Sequence, residues 1–208
     1  MEEYHKINSI YKRDSQTNRF IEGEWSCAEF GYLQNCQWGW EEKIDGTNLR
    51  IMWDGKQVAF GGKTDNASLP APLYQRLVEL FPREKFVQHF PDHTELCLYG
   101  EGYGAKIQKG GGNYKADGVD FILFDVRAGT WWLRREDVAG IAEALEIRMV
   151  PFVSSGTLIE AVDYVKHGEC LSAFGPFRAE GLVCRPLIEL FARNRERIIT
   201  KIKCRDFK

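Results

Sequence analysis

Strand-like runs recur along this chain, and the helical segments between them do not alternate with them; that ordering most constrains the fold. Alternating or β-branched stretches predict strands at Leu49–Trp53, Gln57–Phe60, Glu95–Tyr99, Asp120–Val126, Gly181–Cys184 and Ile198–Ile202. Asp54-Gly55 between the first two is a hairpin signal, because both residues tolerate positive φ. Three helices are expected. Pro72–Phe81 carries a stripe of Leu73 and Leu77, with Leu80 or Phe81. Arg135–Leu145 carries Val138, Ile141, Ala142 and Leu145. The third opens with a T-x-x-E capping box, Thr157 and Glu160, continues through Leu158, Ala161, Val162 and Val165, and ends at Gly168. Irregular interruption of strands by helices points to an α+β fold with largely antiparallel sheets rather than a doubly wound one.

The chain has 208 residues, is 44% hydrophobic and carries a net charge of -2. A packed core follows, and one domain over residues 1–208 is the simplest organisation. Whole-chain charge does not mark a nucleic-acid binder, so any such surface is local. From Arg185 to Lys208 eight Lys or Arg face three acids, which reads either as a solvated face or as such a surface. Six cysteines lack CxxC spacing, which argues against a zinc knuckle and fits reduced thiols in a cytoplasmic protein. No run reaches the roughly 20 apolar residues of a membrane span. His89 and His93 are four apart, but Pro91 between them opposes a helical metal pair, and ordinary surface histidines are the expectation.

Lys109-Gly-Gly-Gly-Asn-Tyr-Lys115 lacks the order of a P-loop and reads as a flexible connection between strands. Lys106, Lys109 and Lys115 could still touch a nucleic-acid backbone. The sharpest segment is Glu42-Lys43-Ile44-Asp45-Gly46-Thr47-Asn48-Leu49-Arg50. A lysine becomes a nucleophile when its surroundings favour the neutral amine, and Asp-Gly suggests a tight turn holding it at a strand edge. Four further segments follow in order: Leu98–Gly104, Asp120–Val126, Glu180–Cys184 and Lys201–Phe207.

Together these five segments resemble the ordered motifs of the covalent nucleotidyltransferase superfamily of DNA ligases, RNA ligases and mRNA capping enzymes, over about residues 40 to 207. K-I-D-G-T-N after a glutamate, G-E-G-Y-G followed by Ile107-Gln108, and Val150-Pro151-Phe152 before a capped helix look most like the RNA-ligase branch of phage T4 RNA ligase 2 and the trypanosome editing ligases. Several members of that branch carry His where this chain has Asp45.

The resemblance implies two antiparallel sheets with flanking helices and a nucleotide cleft. It also implies an ATP-dependent RNA ligase that joins 5′-phosphate and 3′-hydroxyl RNA ends. Lys43 would be the nucleophile that takes AMP from ATP. Lys201 and Lys203, alternating on one strand, would share a face and meet the α-phosphate; an edge strand protected by lysines is the competing reading. Glu180 would be the carboxylate ligand of Mg²⁺ or Mn²⁺. Glu101 would accept a ribose hydroxyl or help with the metal, and Phe124 would stack on adenine, with Phe121 the competitor for that role. Asp45, Gly46 and Arg50 would organise the lysine, ribose and phosphates, Glu42 would read the adenine edge, and Lys63 stands where relatives often carry a basic residue for phosphate. The OB-fold or helical domain that many relatives append is not expected within these residues. RNA is the expected partner, with nicked duplexes included, DNA the enzyme alternative, and a protein partner a further source of substrate binding. A nucleotide- or RNA-binding module that has lost ligation is the rival from another class.

Overall fold

A computed structural model describes residues 3–91, 95–168 and 170–207; His93 lies outside the described residues. In chain order the elements are β1 (Asn8–Ser9), β2 (Tyr11–Arg13), β3 (Phe20–Trp25), α1 (Ala28–Leu33) and β4 (Trp38–Lys43). Next come β5 (Thr47–Trp53), β6 (Val58–Gly62), α2 (Ala71–Leu80), α3 (Arg83–His89), β7 (Leu96–Gly104), α4 (Gly111–Tyr114), β8 (Val119–Ala128), β9 (Trp131–Trp132), α5 (Arg135–Ala144) and β10 (Arg148–Met149). The chain closes with β11 (Phe152–Gly156), α6 (Leu158–Lys166), β12 (Gly181–Pro186), β13 (Thr200–Lys203) and a 3₁₀ turn at Cys204–Phe207. Two compact units result: Met1–His5 with Asp45–Val150, and Lys6–Ile44 with Pro151–Lys208.

The first unit is built on one sheet in the order β10-β8-β7-β5-β6, with β9 paired to β8. Leu49, Ile51 and Trp53 alternate along β5 and enter a core with Leu73 and Leu77 of α2, Phe86 of α3 and Val138 and Ala142 of α5. Asn48, Arg50 and Met52 face the other way, as the strand period requires. The expected hairpin joins β5 to β6: Gly55 has φ +88, and Asp54 Oδ1 accepts the amides of Lys56 and Gln57, both at 2.8 Å. This side-chain turn satisfies two loop amides that no ladder reaches.

The second unit holds a five-stranded sheet, β1-β13-β12-β4-β11, and the separate pair β2-β3. Trp38 and Trp40 of β4, Leu182 and Cys184 of β12 and Ile202 of β13 pack on Leu158, Ala161, Val162 and Val165 of α6. Leu158, fully buried on that helix, contributes roughly 1.5–3 kcal/mol. The helix starts as the sequence predicts: Thr157 Oγ1 accepts the Glu160 amide at 3.2 Å and Glu160 returns the bond to the Thr157 amide at 2.7 Å. Past its end Gly168 adopts φ +87, the left-handed conformation that stops a helix.

Strand pairing is antiparallel except for β1 with β13 and β8 with β10, which are parallel. The segment read as a flexible connection instead holds the short helix α4. Gly111 packs so closely on Gly104 that a Cβ there would lie 2.0 Å from its carbonyl oxygen.

Candidate active site

Three strands of the second unit bring the chemistry-bearing side chains together. In β4, β12 and β13 the register pairs Gly181 with both Lys43 and Lys203, and Val183 with both Glu41 and Lys201. Alternation therefore puts Lys43, Glu41, Lys201 and Lys203 on one face, opposite the face that packs on α6. Just before β12, Glu180 points into this row. Its Oε2 accepts from Lys43 Nζ at 2.6 Å and its Oε1 from Lys203 Nζ at 2.5 Å. The three side chains are only 12–20% exposed. Burial alone would raise the Glu180 pKa; the charges and hydrogen bonds of Lys43 and Lys203 outweigh it and hold the carboxyl below the usual glutamate range. One carboxylate thus ties together lysines that stand far apart in the chain, and Lys201 lies on the same face two residues before Lys203.

Glu42 faces the opposite way from Lys43. It is 2% exposed, with Oε1 accepting from the Ser172 hydroxyl at 2.5 Å and Oε2 from the Ala173 amide at 2.8 Å. Desolvation raises its pKa, and those two hydrogen bonds offset only part of the rise. Its neighbour Glu41 is the glutamate on the lysine face, ion-paired at 3.2 Å with Arg185, both nearly buried. Sequence reasoning passed over Glu41 and counted Arg185 in a basic surface. Period-two alternation back from Lys43 would have found Glu41, had Trp38–Lys43 been read as a strand.

The remaining residues singled out in the sequence belong to the first unit. Asp45 and Gly46 form the link into β5. A Cβ on Gly46 would lie 2.2 Å from the Gly102 carbonyl oxygen, so close approach of β7, not positive φ, demands glycine there. Arg50 is 1% exposed; its Nε donates to the Gly62 carbonyl at 2.9 Å and its Nη2 to Asp65 at 2.7 Å. Lys63, just beyond β6, is exposed. Glu101 sits in β7 between Asn48 and Ile122. The two phenylalanines of β8 separate: Phe121 is 2% exposed in the core against Phe81, whereas Phe124 is partly exposed, with its ring centroid 5.0 Å from that of Tyr4. A register shift opposite Tyr99 and Gly100 places Phe124 at a bulge.

A divalent cation of the Mg²⁺ class needs hard oxygen donors. Among the described residues no three Asp, Glu, His or Cys side chains gather into a metal cage. Glu180 is a hard oxygen donor on the lysine face, with its two oxygens held by Lys43 and Lys203.

The RNA ligase family matches residues 37–203, four-fifths of the chain. The fold is that of the nucleotidyltransferase domain of solved RNA ligases. A Naegleria gruberi RNA ligase in an apo mutant form aligns with 99% of this chain and 59% of its own at a TM-score of 0.68 and 16% identity. Mutants of the same enzyme solved with ATP and Mn, and with AMP and Mn, align at TM-scores of 0.65 and 0.64 and identities of 17% and 18%, each over 84% of this chain. This chain belongs to the RNA ligase family. It spans about half the length of the solved ligases it matches. No curated protein matches it.

Proposed function

We propose that this chain is an ATP-dependent RNA ligase acting through a covalent lysyl-AMP on Lys43, and that it joins 5′-phosphate to 3′-hydroxyl RNA ends. The observation that carries the reading is the Glu180 carboxylate bridging Lys43 and Lys203 on one buried, cationic strand face. In the first step the Lys43 ammonium gives a proton to water, and the neutral Nζ attacks the α-phosphorus. The N–P bond forms as the P–O bond to pyrophosphate breaks. Paired with Glu180 as an ammonium, Lys43 has no lone pair to give, so it sheds a proton and leaves Glu180 before attacking. Lys203, on the other oxygen, keeps Glu180 in place when it does. Lys201 and Lys203 supply positive charge where charge develops on the α-phosphate. In the first unit Phe124 takes the adenine face, Glu101 a ribose hydroxyl, and Asp45, Arg50 and Lys63 the sugar and phosphates. Glu41, on the lysine face, takes over the base-reading role expected of Glu42.

Glu180 would be the carboxylate that holds Mg²⁺ or Mn²⁺, which would supply positive charge beside the phosphates. That the matched ligase was solved with ATP or AMP and Mn supports this choice. In the later steps AMP passes to the RNA 5′-phosphate, and the 3′-hydroxyl displaces it.

The test is sealing of matched nicks whose 3′-hydroxyl strand ends in ribose or deoxyribose. A 2′-hydroxyl is the group by which a protein tells the polymers apart, so ribose ends should seal faster. Equal or better sealing of an all-DNA nick contradicts the RNA assignment.

A further inference from the structure

Residues 105–116, Ala-Lys-Ile-Gln-Lys-Gly-Gly-Gly-Asn-Tyr-Lys-Ala, contain three lysines and no acid. The three are not equivalent. Lys115 Nζ is tied to Asp120 at 3.0 Å. Lys106 and Lys109 are exposed and have no ion-pair partner among the described residues. Lys106 also holds φ +67, a left-handed conformation uncommon for a side-chain-bearing residue.

The segment is anchored on the stretch that follows Lys43 in the chain. Gln108 Nε2 donates to the Gly46 carbonyl at 3.1 Å, and the Tyr114 hydroxyl accepts from the Asp45 amide at 3.4 Å. Gly111 is demanded by the fold, as its contact with Gly104 shows. Gly112 is not: a Cβ there would meet nothing within 4 Å, and its φ is not left-handed. A glycine that the chain's own packing does not require, three residues after the exposed Lys109, leaves room for an outside backbone to come close.

Resting on the reading of this chain as an RNA ligase, we infer that residues 106–112 form a phosphate-contacting shelf for the RNA strand, with Lys106 and Lys109 on phosphates and Gly112 keeping the approach open. The shelf acts on polynucleotide, not on the triphosphate of ATP. Phosphate contacts carry no sequence information, so the shelf adds affinity and salt dependence and leaves sequence preference unchanged.

Three proteins decide it: wild type, the Lys106→Ala/Lys109→Ala double variant, and Gly112→Val. Each is tested for adenylylation with α-labelled ATP and for binding of a 5′-phosphorylated single-stranded RNA across a salt series. Adenylylation and its apparent KM for ATP should be unchanged in both variants. RNA affinity should fall about tenfold or more in the double variant, and the slope of log affinity against log salt should shrink by about 1.4, two contacts at roughly 0.7 each. Gly112→Val should weaken RNA binding without altering that slope. Unchanged RNA affinity and slope in the double variant overturn the shelf. A parallel loss of ATP use reassigns the lysines to the triphosphate and overturns it equally. If wild type itself neither binds nor seals RNA, the functional reading fails and the shelf with it, an outcome distinct from a wild type that seals and variants that match it.

Discussion

Lys43 and Glu180 meet at 2.6 Å across 137 positions of sequence, and the carboxylate that accepts from Lys43 Nζ is the one that Lys203 also holds. Chelation should therefore stop nucleotide transfer, and Mg²⁺ or Mn²⁺ should restore it. Glu180→Ala should lose most labelling from ATP while its circular dichroism stays that of wild type. Full labelling in EDTA contradicts the ligand role.

The same pair sets a pH dependence of stability. The Glu180 carboxyl lies below its usual 4.5 in the folded protein despite burial, because Lys43 and Lys203 surround it. A depressed carboxyl contributes stability that is fully present above the unfolded value and is lost as pH falls through the folded one. Urea midpoints should drop from neutral pH to below about 4.5, and Glu180→Gln should flatten that part of the profile. Equal slopes in wild type and variant would contradict the linkage.

Glu42 offers the reverse case. Its raised pKa means that its share of stability is largest below the unfolded value and declines as pH rises through the folded one. Glu42→Ala strands the Ser172 hydroxyl and the Ala173 amide and should cost about 1–3 kcal/mol, read as a lower melting temperature. Preference for ATP over GTP should survive in whatever protein remains folded. A switch in nucleotide preference would return the base-reading role to Glu42.

Phe121 and Phe124, three residues apart in β8, should respond differently to truncation. Phe121→Ala opens a cavity among Phe81 and its neighbours and should cost about 3–5 kcal/mol. Phe124→Ala should leave stability nearly unchanged and raise the KM for ATP, since stacking on a base is worth about 1–3 kcal/mol. Thermal melts and ATP titrations separate the two.

These pairs also show how far the sequence could be read. The capping box at Thr157, the hairpin at Asp54-Gly55 and the shared face of Lys201 and Lys203 are local, and local signals survive into the structure. The strand bearing Lys43 was not legible. Trp38-Gly-Trp-Glu-Glu-Lys is buried on both faces, so it lacks the polar–apolar alternation that marks a strand, and its glutamates meet partners distant in the chain, Arg185 for Glu41 and Ser172 and Ala173 for Glu42. Without that strand the face of Glu42 could not be assigned, and Glu41 stayed hidden beside it. The glycine-rich segment misled for a related reason. What orders it is contact with Gly104 and with Asp45-Gly46, which composition does not reveal.

The most direct measurement is the site of the covalent nucleotide. The protein is incubated with α-labelled ATP or GTP and a divalent cation, digested, and mapped by mass spectrometry beside Lys43→Ala. AMP should appear on the peptide carrying Lys43, through an acid-labile, base-stable bond, from ATP and not from GTP, and the variant should show none. Label on another residue, or full labelling of Lys43→Ala, would contradict the account.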